Sequence, residues 1–154
     1  MTRPPTQPAG MLYCSGEPTE VDSRRRITGL IVVWDTVGNT SVGPTRFLRG
    51  SITVPDPVGK VKLLLDHDHS RPVGWLESYD VTDRGIIGTF VVPETELGDF
   101  ALEQAAAGLR DGLSVGANIA DYSFDRDTLV VAGSTLTETS LVSIPAFSDS
   151  LVAT

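Results

Sequence analysis

LSVGANIADYSF (residues 113–124) and TLVVAGSTLTETSLVSI (residues 128–144) flank the polar triplet Asp125-Arg126-Asp127. Both runs are dense in β-branched and small apolar residues, and the polar triplet suits a reversing chain, so the pair reads as a long antiparallel hairpin. Upstream, Val73 to Tyr79 and Ile86 to Val92 bracket the polar segment Asp80 to Gly85, which predicts a second hairpin. Ile27 to Trp34 (ITGLIVVW) and Val61 to Leu65 (VKLLL) read as buried strands, the latter running into Asp66-His67-Asp68-His69. Asp35 to Pro44, rich in Gly, Asn, Thr and Ser, reads as a loop, and Phe47-Leu48-Arg49-Gly50 as a short turn or helix.

Helical spacing occurs over Thr95 to Arg110, where Leu97, Phe100, Ala101, Ala105 and Leu109 form an apolar stripe. Thr95 is the expected N-cap, Glu96 and Asp99 suit the positive end of the dipole and Arg110 the negative end, and Gly112 is the expected stop. One helix among about seven short strands predicts a mainly β, α+β fold: a curved or closed β-barrel with a packed helix. Residues 1–24, with Pro4, Pro5, Pro8 and Pro18 and no apolar period, are expected to form an extended, flexible leader. Residues 25–154 are then a single domain.

A chain of 154 residues with 40% hydrophobic and 21% charged residues can bury an ordinary globular core. Its formal charge of −8 argues against nucleic acid and against an anionic membrane surface as partners. The basic run Arg24-Arg25-Arg26 reads as a solvated stretch. Cys14 is the single cysteine, so no intramolecular disulfide forms, and its place in the leader disfavours a Cys/His nucleophile pair. No stretch has the length and apolarity of a helical membrane span or a signal-peptide core.

Gly112-Leu113-Ser114-Val115-Gly116 fits G-x-S-x-G, but a helix precedes this serine and both histidines lie upstream of it. That order excludes an α/β-hydrolase elbow and leaves two readings, a nucleophile or a small residue in a Gly-rich strand start. His67 and His69 sit together at a strand end, where rigid scaffolds commonly present site residues. If the strand continued, they would share one face and Asp66 and Asp68 the other. A metal site, a solvated polar loop and a general base for Ser114 are the competing readings, and four such residues on two faces make a poor metal set.

Glu138 is the candidate to orient an imidazole. With a turn centred on Arg126, hairpin partners sum to 252, which sets Ser114 opposite Glu138; a bulge at Gly133-Ser134 would shift this by one. Glu138 would then share a strand face with Leu136, Val142 and Ile144, an expensive place for a carboxylate unless it is partnered or the face is open to solvent.

Three blocks in order are similar to those of one family. Leu63 to Gly74 resembles the "H-D … P-[IV]-G" block of the prohead proteases of HK97-like phages, Gly108 to Gly116 their "G … G-L-S-[IV]-G" block, and Glu138 to Phe147 their "E-[IV]-S-L-V-x-x-P-A" block. The resemblance spans roughly Ile27 to Ser150. It implies a curved β-barrel like that of the herpesvirus assembly proteases, and a serine endopeptidase that trims scaffold or capsid-protein segments, itself included, inside the assembling prohead in the bacterial cytoplasm. It puts the nucleophile at Ser114, the general base at His67 and the orienting acid at Glu138, with no cofactor and no metal. His69 and Thr139 depart from the blocks, the first as an alternative base, the second in place of an aliphatic residue after the Glu. The phage major capsid protein or a scaffold domain is the implied substrate. A homodimer is implied by the herpesvirus relatives, although no leftover apolar helix face demands one. The competing functions are a non-catalytic capsid- or scaffold-associated relative of the same fold, and a metal-dependent hydrolase built on Asp66 to His69. The end at Thr154, just past the last block, fits a matured product, a trimmed chain or a complete small protease.

Overall fold

A computed structural model describes residues 11–18, 20–21 and 24–143. Its strands are β1 (Met11–Pro18), β2 (Glu20–Val21), β3 (Arg26–Val33), β4 (Val37–Thr40), β5 (Gly43–Phe47), β6 (Ile52–Thr53), β7 (Lys62–Leu65), β8 (Asp68–Val81), β9 (Gly85–Val91), β10 (Gly112–Asp125) and β11 (Thr128–Val142), with the helix α1 (Glu96–Ala106) between β9 and β10. The expected strands around Ile27, Val61, Val73 and Ile86 and the long terminal hairpin are therefore present. Ile144, the expected end of that hairpin, lies outside the described residues, as do Pro145, Ala146 and Phe147.

Seven strands in the order β1-β10-β11-β7-β8-β9-β3 form a curled half-barrel, and the short β2, β4, β5 and β6 are appended to it. The expected barrel is thus open. β1 comes round close to β3, but the outer edge of β3 is already paired at Ile27 and Thr28 with β2, so no closing ladder forms. The segment expected as a leader supplies both β1 and β2. An edge strand is held by backbone N–H and C=O groups, so it needs no apolar period to find a partner. Asp35 to Pro44, expected as a loop, holds β4 and the start of β5, a hairpin with Thr40 opposite Gly43 at its turn and with β5 running on to Phe47.

The concave side is filled by one apolar cluster that includes Phe47, Phe90, Ile31, Leu63, Leu65, Leu113 and Leu141. Through Ala101 and Ala105 α1 joins that cluster, and Gly98 sits so close to the chain end of β9 that a Cβ there would lie 2.4 Å from the Pro93 carbonyl oxygen. Thr95 caps the helix as expected, its Oγ accepting the Gly98 N–H at 2.9 Å. The stop is Gly108 and not Gly112. Gly108 has φ 74°, which costs glycine little, and its N–H closes onto the Ala105 carbonyl at 3.2 Å. Phe100 and Leu109 of the expected stripe are left exposed.

The arginine run does more than stay solvated. Arg25 donates to the carbonyls of Val92 and Pro93 and to Asp99, fastening the end of β9 to the first turn of α1. Arg26 forks onto Glu77 of β8 with bonds of 2.9 and 3.0 Å.

Candidate active site

β7 and β8 are joined by two residues, since Leu65 pairs with Asp68. Both linking residues, Asp66 (φ 52°) and His67 (φ 59°), are left-handed, as the tight turn matched to strand twist requires. The strand therefore reverses where continuation would have put His67 and His69 on one face. His69-Ser70-Arg71 are pushed out of the ladder, because Leu64 pairs next with Pro72, and His69 is exposed. Asp68 holds this excursion by accepting from the Ser70 hydroxyl at 2.6 Å and the Ser70 N–H at 2.9 Å. The hydroxyl first, and then the N–H, keep its carboxyl below the ordinary carboxylate range.

The turn is fastened on three sides. The Asp66 N–H donates to the Leu141 carbonyl at 3.2 Å, and the His67 N–H to Ser140 Oγ at 2.8 Å. Arg110 donates from Nη2 to Asp66 Oδ2 at 2.9 Å and from Nη1 to Gln104 Oε1 at 2.8 Å. Its guanidinium carbon lies 5.6 Å from the Phe100 ring centroid. The end of α1 thus braces the turn that carries His67.

Across the β10–β11 hairpin, Ser114 faces Ser140, and Glu138 faces Gly116. The expected pairing of Ser114 with Glu138 is two residues out, for two local reasons. The turn consists of Arg126 and Asp127 alone, with Asp125 opposite Thr128, and Thr137 is an extra residue between the Gly116–Glu138 and Ala117–Leu136 pairs. That bulge also corrects the expected face, since Leu136 joins the core cluster while Glu138 and Ser140 turn to the side of Ser114. Two residues is one period of a strand, so Ser114, Glu138 and Ser140 still share a face, on a diagonal.

Over this face leans the His67 ring. Its Nε2 is 2.7 Å from Ser114 Oγ, and its Nδ1 is bonded to Glu138 Oε1. Ser140 Oγ donates to Glu138 Oε2 at 3.3 Å while accepting the His67 N–H. A carboxylate accepts only, so Nδ1 carries the ring proton and Nε2 offers its lone pair to the serine hydroxyl. The face around Glu138 is not open to solvent: Glu138 is 3% exposed, Ser114 3% and Ser140 0%. With its carboxylate partnered by an imidazole and a hydroxyl, the desolvation that such burial costs is offset by charge-assisted bonds.

The structure thus brings Ser114, His67 and Glu138 into one hydrogen-bonded chain and leaves His69 outside it. Among the described residues no group of three or more His, Cys, Asp and Glu could hold a metal ion; Asp66 is engaged by Arg110 and Asp68 by Ser70. Sequence reasoning missed Ser140 and Arg110 as parts of the site, and weighed Asp66 only as a metal ligand. Only Ser140 carried a signal, the spacing of two from Glu138 that puts both on one strand face.

No curated protein matches the chain. Among solved structures, the bacteriophage T4 capsid assembly protease gp21 is similar in fold, with a TM-score of 0.63 at 12% identity, covering 85% of this chain and 97% of that one. At that identity the likeness speaks for the fold. Residues 16–154 match the pattern of the caudovirus prohead serine proteases, and with that match over nearly its whole length the chain belongs to that family.

Proposed function

We propose that the chain is a serine endopeptidase that cleaves scaffold or capsid-protein segments during phage head maturation, with Ser114 as nucleophile, His67 as general base and Glu138 as the acid that orients it. The observation that carries this reading is the unbroken hydrogen-bonded sequence Ser114–His67–Glu138. His67 Nε2 takes the hydroxyl proton as Ser114 Oγ attacks the scissile carbonyl, then returns it to the leaving amine. Glu138 holds the imidazole in the tautomer that can accept this proton and stabilises the imidazolium that forms. Family membership and the fold shared with a phage capsid assembly protease support a substrate from the assembling shell and work inside the prohead. A kinship with herpesvirus assembly proteases belongs to the same reading.

The test is labelling with a small fluorophosphonate. Wild type is expected to label stoichiometrically, and Ser114→Ala and His67→Ala to lose both labelling and cleavage of the capsid protein. A folded wild type that neither labels nor cleaves, with capsid protein present, would identify a non-catalytic relative that binds shell protein.

A further inference from the structure

His67 is tied to its two partners by different means. From its turn, the Asp66 N–H donates to the Leu141 carbonyl and the His67 N–H to Ser140 Oγ, so the turn is registered on β11, the strand that carries Glu138. Toward Ser114, on β10, the ring reaches through the Nε2–Oγ hydrogen bond. That bond cannot set the geometry throughout the reaction, because it is consumed as Nε2 takes the hydroxyl proton. A second tie joins the two chain segments. Arg110, four residues before the serine, donates to Asp66, the residue before the histidine, from Nη2 to Oδ2 at 2.9 Å and from Nε to both carboxylate oxygens at 3.3 Å.

Arg110 is itself fixed at both ends. Its N–H and that of Leu109 close onto the Gln104 carbonyl at 3.2 and 2.9 Å, and its Nη1 donates to Gln104 Oε1 while the guanidinium lies against the Phe100 ring. A guanidinium held in this way loses little further freedom on pairing. Across the bond, Asp66 and His67 are two successive left-handed residues without a glycine, a backbone that persists only where its surroundings over-determine it. From these observations we infer that Arg110 is a positioning residue for the reaction: through Asp66 it sets the distance of the His67 ring from Ser114. The inference rests on the protease reading above. The pair should matter for rate more than for stability. Its carboxylate side chain is 44% exposed, where an ion pair contributes little to folding, whereas displacing reacting groups by about 1 Å costs on the order of 100-fold in rate.

Variants of the full chain test this. Arg110→Met keeps an apolar stem against Phe100 and loses the donors. Asp66→Gly keeps a left-handed turn at little cost and loses the carboxylate. These two, their combination and Arg110→Lys are reacted with a small fluorophosphonate over a range of concentrations, with urea denaturation alongside. In Arg110→Met and in Asp66→Gly the maximal labelling rate is expected to fall about tenfold at an unchanged half-saturating concentration, with the urea midpoint close to that of wild type. The double variant is expected to be no slower than the slower single one, because the two residues act as a unit. Arg110→Lys, which keeps the charge but lacks the planar fork that spans Asp66 and Gln104, is expected to recover part of the rate. Labelling at the wild-type rate in either single variant overturns the inference. So does a double variant slowed by the product of the two single effects, which makes the residues independent, and so does a urea midpoint that falls in step with the rate, which assigns the pair to the fold. A folded wild type that does not label is a different result: it removes the protease reading, and the inference falls with it.

Discussion

Glu138 is a carboxylate with 3% of its surface exposed, and everything that makes this tolerable comes from His67 and Ser140. Glu138→Gln keeps the shape and loses the charge that stabilises an imidazolium. Its kcat is expected to fall on the order of 10³- to 10⁴-fold, while the urea midpoint stays close to that of wild type. Ser140→Ala removes one donor to Glu138 and one acceptor for the His67 N–H. A lost hydrogen bond of about 1.5 kcal/mol corresponds to roughly tenfold in kcat with KM little changed, as steady-state kinetics would read. Asp68 gives a pH-dependent case. Because Ser70 depresses its folded-state pKa, the stabilisation is present above the unfolded carboxylate value and is lost as pH falls through the lower folded one. Ser70→Ala is expected to raise the Asp68 pKa in an NMR titration.

At the scale of elements, two local devices aim the site. One is the two-residue turn at Asp66 and His67, whose left-handed backbone swings the imidazole back over the sheet. The other is the extra residue at Thr137, which turns Glu138 to the side of Ser114. Sequence reading found the strands on both sides and missed both devices, since neither Asp66-His67 nor Leu136-Thr137-Glu138 contains the glycine or proline that marks an irregularity. The helix was more legible, because Thr95 and the acidic first turn are chemical signals confined to one element. Thr95→Ala is expected to cost about 1 kcal/mol by urea denaturation. Its effect should reach the site only weakly, through Arg110 and Asp66, a pair in which the carboxylate is nearly half exposed and solvent screening is strong.

For the whole molecule, stability resides in the cluster inside the half-barrel, to which β3 and the strands from β5 to β11 contribute. Phe90→Ala, at a fully buried position, is expected to cost about 3–5 kcal/mol and to lower the urea midpoint accordingly. By itself the sequence determined the strand-rich class, the capped helix, and the three residues that meet in the site, because apolar alternation, capping chemistry and short motifs are all local in the chain. Tertiary structure alone decided that Ser114 faces Ser140 and not Glu138, that the barrel stays open, that Arg110 braces the His67 turn, and that β1 lies along the strand of Ser114. Register, closure and edge pairing depend on backbone groups and bulges that every residue type can supply, so side-chain pattern could not announce them.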